Sequence, residues 1–278
     1  MREYDANLMK RHVSRKENIM QNFGVIGCGK MGQALIAGMI SSLDCKIMAC
    51  DVSESARLAM SDILGDKGTV VEDIGAISEN CDVVLVAVKP FHAAGVLNKL
   101  SGGCDKIILS IVAGMTYEKL RAFAGRHAVI RLMPNTPALV GAGSMVVLDN
   151  GLTAENRQLV QDLFSHSGTV HFIPRESMMD AVTGLSGSCP ALFAMMMEAL
   201  SDAGVAEGLT RDLANDLARE TMLGTAKLLE IQHPAILKEN VMSPGGTTAA
   251  GVMAAESAGF RAAAAAFVQA AAEKSRKL

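Results

Sequence analysis

No tryptophan and only two tyrosines occur among the 278 residues. Stacking nucleic-acid bases needs aromatic platforms, and with aromatics this scarce none is expected. Charge offers nucleic acid nothing either: 26 Lys and Arg stand against 29 Asp and Glu, a formal net charge of −3. That balance leaves no basic footprint, and no nucleic-acid partner is expected. Long apolar runs are missing too. The run at 191–197 stops at Glu198, short of the roughly 18 residues a membrane span requires, so no membrane partner is expected.

The six cysteines, Cys28, Cys45, Cys50, Cys81, Cys104 and Cys189, form no C-x-x-C pair. They lie mostly in or beside apolar strand-like runs and read as buried thiols of a reducing, cytoplasmic setting. His166 and His171 are spaced poorly for joint ligation, and no metal site is expected. Residues 1–21 are polar, with Arg2, Lys10, Arg11, Arg15 and Lys16 against Glu3, Asp5 and Glu17. They lack the apolar core of a secretory signal and read as a disordered extension.

What is present is aliphatic volume, including 18 Met, a residue that fills irregular gaps in helical cores and interfaces. Short apolar runs at 23–26, 46–50, 69–71, 83–88, 106–111 and 128–132 read as strands, with helical segments between most of them. Ser53 is placed to cap a helix running to about Leu64. Two more strands are expected at 144–148 and 169–172, around a helix at 154–164. This alternation specifies a parallel sheet with helices on both faces. Beyond Pro174 strand signals vanish, and helices are expected at 177–185, 190–207, 211–230, 247–259 and from 261 onward. Residues 22–174 and 175–278 are therefore expected as two domains. The helices of the second carry apolar residues on more than one face, which an isolated monomer would leave wet. A homodimer or higher homo-oligomer built through them is the expected remedy.

Gly27-Cys28-Gly29-Lys30-Met31-Gly32 follows the first strand and opens the first helix, the context a dinucleotide-binding turn needs. Gly27 permits a sharp turn, Gly29 permits close approach of a pyrophosphate, and Gly32 permits close packing of helix on strand. Free N–H groups at the helix N-terminus then face the anion. The first domain thus reads as an α/β Rossmann-type, dinucleotide-binding domain. Asp51 ends the second strand, where an acid accepts from the adenosine ribose hydroxyl and repels a 2′-phosphate. It favours NADH over NADPH, although a solvated loop acid or helix cap would look the same, and Arg57 nearby complicates the preference. Lys89, in Ala87-Val88-Lys89-Pro90, leaves the fourth strand at the carboxyl edge, where such folds bind ligands. Arg131-Leu132-Met133-Pro134-Asn135-Thr136-Pro137 leaves the sixth in the same way. There Asn135 offers an amide near the expected nicotinamide, and a rigid interdomain elbow fits the same residues. Ser243-Pro244-Gly245-Gly246-Thr247-Thr248 brings backbone N–H groups and two hydroxyls to a helix start, which suits a small carboxylate.

Three segments carry a resemblance: 131–137, 243–248 and Asp180-Ala181-Val182-Thr183-Gly184-Leu185-Ser186-Gly187-Ser188. From about Phe23 to the end the chain resembles the pyrroline-5-carboxylate reductase family. The resemblance implies reduction of the cyclic imine 1-pyrroline-5-carboxylate to proline by NADH or NADPH, and an all-α C-terminal dimerisation domain. It implies that Ile26, Gly27, Cys28, Gly29, Lys30 and Met31 line the pyrophosphate and that Ala87, Val88, Lys89 and Pro90 flank the nicotinamide. Asn240 would also reach the cofactor. Thr247 and Thr248 would meet the substrate, its carboxylate held by the backbone of Ser243, Gly245 and Gly246. Thr248 is the expected partner of the ring nitrogen, as donor or orienter. Two residues depart from the pattern. Asp51 stands where many relatives carry a small hydroxylated residue, and Cys189 replaces a common glycine.

Other chemistries fit less well. No Ser-His-Asp or Cys-His arrangement supports hydrolysis, and Asp180 reads as orienting the domain junction rather than as a base. A β-hydroxyacid dehydrogenase would carry a lysine on its interdomain helix, yet none follows Pro174 before Lys227. A silent nucleotide sensor would have no use for Gly245, Gly246 and Thr248.

Overall fold

The computed structural model describes residues 22–40, 43–100 and 105–277. The expectation for 1–21 lies outside them, as does that for Cys104. Eight strands form one sheet: β1 (Asn22–Ile26), β2 (Lys46–Cys50), β3 (Gly68–Val71), β4 (Val83–Val86), β5 (Ile107–Ser110), β6 (Ala128–Met133), β7 (Gly143–Leu148) and β8 (Gly168–Ile173). Their spatial order is β3-β2-β1-β4-β5-β6-β7-β8. The helices between them are α1 (Lys30–Met39), α2 (Glu54–Leu64), α3 (Ile74–Asn80), α4 (Pro90–Leu100), α5 (Tyr117–Ala124) and α6 (Ala154–Phe164).

Alternation within the strands explains the covering on both faces. Successive side chains of a strand point to opposite faces. In β4, Val83 and Leu85 join one core cluster, with Leu35, Ile36 and Met39 of α1. Val84 and Val86 join the other, with Leu97 and Leu100 of α4. Every residue of β4 and β6 is buried, as expected of strands covered on both sides. Ser53 caps α2, its hydroxyl accepting from the Ala56 N–H at 3.3 Å.

One expectation needs correction. The sheet is parallel through β6, but β7 pairs antiparallel with β6, and β8 runs parallel to β7. A 3-10 turn at Thr136–Val140 reverses the chain between β6 and β7. A connection that short cannot carry the crossover a parallel pair requires.

His127 sits fully buried just ahead of β6. Its Nε2 lies 2.6 Å from the Leu100 carbonyl, and its Nδ1 accepts from the Lys106 N–H at 3.3 Å. These partners fix a neutral ring protonated on Nε2. Burial, opposed by the Leu100 hydrogen bond and aided by Lys106 and Arg126, holds its pKa below the ordinary 6.5. A folded-state pKa below the unfolded one adds stability above pH 6.5 that is lost as pH falls toward the folded value. Unfolding free energy is therefore expected to drop as pH falls below 6.5, by at most about 1.4 kcal/mol per pH unit for this proton. Urea titrations of wild type and His127→Asn check this. The variant should be less stable at pH 7.5 and lose that pH-dependent component.

By their internal contacts the described residues form two compact units that divide after Gly187, and residues 271–277 belong to the first. Backbone geometry and hydrogen bonds carry the first unit past β8. The expected helix at 177–185 is a 3-10 turn (Glu176–Met178), a short helix α7 (Met179–Val182) and a π-type turn (Thr183–Gly187). Asp180 accepts at 2.7 Å from the hydroxyl of Ser275, close to the end of the chain. Glu176 accepts from the Tyr117 N–H at 2.5 Å and pairs with Arg131.

The second unit is helical: α8 (Cys189–Ala206), α9 (Arg211–Leu228), α10 (Pro234–Val241), α11 (Thr247–Ser257) and the start of α12 (Phe260–Arg276). Gly204 packs against Ala214, and the Ser201 hydroxyl, 2.6 Å from the Asn215 side-chain oxygen, joins α8 to α9. Helix α10 was not expected from the apolar pattern. Its signals are a capping His233 and a proline at its start, on only eight residues. Neither α10 nor α11 has a buried residue. Large apolar side chains stand exposed, among them Phe193, Leu217 and Met253, the last at 70%. The helical stretch Glu176–Ala206 is, by length and composition, apolar enough to cross a bilayer. It reaches further than the run at 191–197 suggested because the π-type turn continues into α8.

Candidate active site

The order of the sheet reverses at β1, which lies between β2 and β4, and ligands of such sheets bind beyond the carboxyl ends at the reversal. The glycine turn emerges there. Gly27 donates to the Cys50 carbonyl at 2.9 Å, while Ala87 donates to the Ile26 carbonyl at 2.8 Å. This bracketing by β2 and β4 leaves no room for a side chain. A Cβ on Gly27 would stand 2.5 Å from the Ala87 carbonyl oxygen, at a φ of +104° that L residues rarely adopt. A Cβ on Gly32 would collide with the Gly27 carbonyl oxygen. Gly29 differs. Among the described residues nothing lies within 4 Å of where its Cβ would be, so its glycine keeps space open rather than relieving a clash. Gly29 is also the N-cap of α1, and among the described residues no side chain caps that helix. An open cradle at an uncapped helix start fits a pyrophosphate.

Asp51 takes a part that its sequence position did not disclose. One carboxylate oxygen accepts from the Cys28 N–H at 2.7 Å and the other from the Ser53 N–H at 2.8 Å. Arg57 donates to the Asp51 carbonyl at 2.8 Å. The acid therefore fastens the glycine turn to the end of β2. Gln33 adds a second tie, its amide donating to the Cys28 carbonyl at 2.6 Å. Cys28 contributes backbone only. Burial, then Asp51 and Cys50, push its thiol up to about 12, so it stays neutral and unreactive at physiological pH.

Beyond β4, Ala87 and Val88 are half-buried, Lys89 is exposed and Pro90 opens α4. Asn135 is less free than expected. Its side-chain oxygen accepts from the Ser144 N–H at 2.8 Å, and its amide nitrogen lies 3.3 Å from both the carbonyl and hydroxyl oxygens of Ser186. The amide thus braces the β6 exit against β7 and the π-type turn. Glu176, the partner of Arg131, was missed, because nothing local links positions 45 apart.

In the second unit, residues 243–246 turn tightly, with the Gly246 N–H donating to the Ser243 carbonyl at 3.0 Å. Gly245 has φ +70°, and a Cβ on Gly246 would collide with the Ser243 hydroxyl. Gly246 is the N-cap of α11, with no side-chain cap among the described residues. The first-turn N–H groups, those of Thr247 and Thr248 among them, thus face outward beside two hydroxyls, an arrangement suited to an anion. Asn240 is exposed on the last turn of α10.

Residues 176–278 match the family described as pyrroline-5-carboxylate reductase dimerisation, and residues 22–114 match NADP oxidoreductase, coenzyme F420-dependent. A pyrroline-5-carboxylate reductase of Synechocystis is 42% identical over 262 residues, covering 92% of this chain and 97% of the relative. That of Escherichia coli is 38% identical over 267 residues, covering 93% and 98%. Among solved structures, Plasmodium falciparum pyrroline carboxylate reductase with NADP bound aligns with a TM-score of 0.82 at 30% identity. That alignment covers 94% of this chain and 99% of that one. With matches of this extent across both units, the chain belongs to the pyrroline-5-carboxylate reductase family.

Proposed function

We propose that the protein reduces 1-pyrroline-5-carboxylate to proline with a nicotinamide cofactor. The observation that carries this reading is the pair of glycine-built anion sites at uncapped helix N-termini, one for a pyrophosphate and one for a small carboxylate. When bound, the reduced nicotinamide supplies the hydride. The chain positions the reactants. Residues 26–31 hold the pyrophosphate, Asp51 accepts from the ribose, and Ala87, Val88, Lys89, Pro90 and Asn240 flank the rest of the dinucleotide. Asn135 contributes by fixing the β6 exit. Backbone groups of Ser243, Gly245 and Gly246, with Thr247, hold the substrate carboxylate. Thr248 hydrogen-bonds the ring nitrogen, which must be protonated for the adjacent carbon to accept hydride. Holding donor and acceptor in attack geometry supplies several kcal/mol of the barrier reduction.

The working form is a homo-oligomer in which a second copy covers the exposed apolar faces of the helical unit. What supports this is the dimerisation family matched over 176–278. The described cysteines are all unpaired thiols, which supports a cytoplasmic setting.

Purified protein supplied with pyrroline-5-carboxylate is expected to oxidise NADH and NADPH in separate assays. Oxidation of neither overturns the reading. We further propose that Asp51 biases the protein toward NADH. Asp51→Ser removes the ribose acceptor and the repulsion of a 2′-phosphate, each worth about 1 kcal/mol or more. The ratio of kcat/KM for NADPH over NADH should rise about tenfold or more. A ratio that does not move removes Asp51 as the discriminator.

A further inference from the structure

We infer that Gln33 is a positioning residue for the dinucleotide: its amide holds the Cys28–Gly29 peptide with the N–H, not the carbonyl, turned toward the pyrophosphate. This rests on the dinucleotide reading above and deepens it. Glycine frees the peptides beside it to rotate. A glycine turn binds an anion only while something keeps its N–H groups on the open side.

Two side chains from outside the turn capture the two ends of Cys28. Asp51 accepts from its N–H at 2.7 Å, which fixes the Gly27–Cys28 peptide. Gln33, half-buried on α1, donates to its carbonyl at 2.6 Å, which fixes the Cys28–Gly29 peptide. Helical side chains lean toward the N-terminus, so Gln33 reaches back over the helix start. Among the described residues no peptide is cis, and in a trans peptide the N–H points opposite to the C=O. With the Cys28 carbonyl drawn toward Gln33, the Gly29 N–H is turned away from it. Cys28 is buried and Gly29 exposed, so this peptide spans the border between core and cradle. The bond is not a helix cap. Capping side chains accept from the first helical N–H groups, whereas Gln33 donates to a carbonyl and leaves those N–H groups to a ligand.

Without the Gln33 amide the peptide is free to turn over. That rotation carries the Gly29 φ from −70° to positive values, which glycine adopts about as readily as negative ones. A carbonyl oxygen then faces the pyrophosphate where an N–H stood, and like charges meet. The residue that keeps the cradle open is thus also the one that loosens its lining, and Gln33 offsets that freedom. Its effect is on the pyrophosphate, so NADH and NADPH feel it equally.

Calorimetric titration of the full-length protein with NADH, NADPH and ADP-ribose tests the assignment without relying on turnover. Gln33→Met keeps the length of the side chain and removes the donor. Affinity for all three ligands should fall about fivefold to tenfold, the scale of one neutral hydrogen bond. Only the fraction of molecules with the N–H turned outward binds, so KM for the dinucleotide should rise alike. The thermal midpoint, kcat and KM for the imine acid should stay near wild type, which a general loosening of the fold would not allow. Gly29→Ala supplies the second measurement, because alanine bars the turned-over peptide. In that background, itself weaker in binding, Gln33→Met should cost less than twofold. Equal losses in both backgrounds, or no loss in either, overturn the role of Gln33 and leave the reductase reading intact. Failure of wild type to bind any of the three ligands overturns both.

Discussion

Alanine at position 27 is expected to weaken dinucleotide binding about 100-fold or more and to lower thermal stability as well. The added methyl would stand 2.5 Å from the Ala87 carbonyl oxygen, at φ +104°. A backbone conformation of that kind costs an ordinary residue about 1–3 kcal/mol, and the overlap must be relieved by moving β1 away from β4. Each 1.4 kcal/mol lost from the bound state is a tenfold loss in affinity. Gly29→Ala is the informative companion. It meets no atom of the described residues within 4 Å, so the melting temperature should stay close to that of wild type while the filled cradle weakens the dinucleotide. Calorimetry and thermal unfolding of both variants separate the two roles of glycine in one turn. Unchanged binding in Gly29→Ala would remove the turn from the cofactor site.

The second large effect is expected at Thr248. Loss of its hydroxyl in Thr248→Ala should lower kcat about 100-fold, the scale of loss when a reacting group is no longer held in attack geometry, with KM for the imine acid changing little. Thr248 lies in the first turn of α11 and is half-buried. The backbone groups proposed to hold the carboxylate do not depend on its side chain. Thr248→Ser keeps the hydroxyl and should restore most of the rate. Steady-state kinetics of both variants over a range of pH decides the matter. A kcat that stays at the wild-type value removes Thr248 from the chemistry, and a rise in KM alone would make it a binding residue.

Much of this was legible before any tertiary contact was known. The strands of the sheet are apolar runs between glycines and caps, and helix α6 spans 154–164 as its pattern indicates. The division at Gly187 was not legible. A π-type turn and the bond from Ser275 to Asp180 extend the first unit past its last strand, and neither leaves a trace in hydrophobic period. The direction of β7 was hidden for a related reason. An apolar strand has the same pattern read in either direction, so the length and geometry of the connection decide its pairing.

The sequence by itself determined the local geometry: glycines where a Cβ would collide or where an anion must approach, Ser53 where a helix needs a cap, and two glycine-rich helix starts able to bind anions. These depend on residue type and spacing within a few positions, because steric limits on the backbone act at short range. Only the tertiary structure decided what the side chains around those turns do. Asp51 meets the Cys28 N–H across 23 positions, and Asn135 braces Ser186 across 51. Arg131 finds Glu176 across 45. Such bonds exist because the order of the sheet brings strand ends together, and that order is set by burial on both faces of the whole sheet.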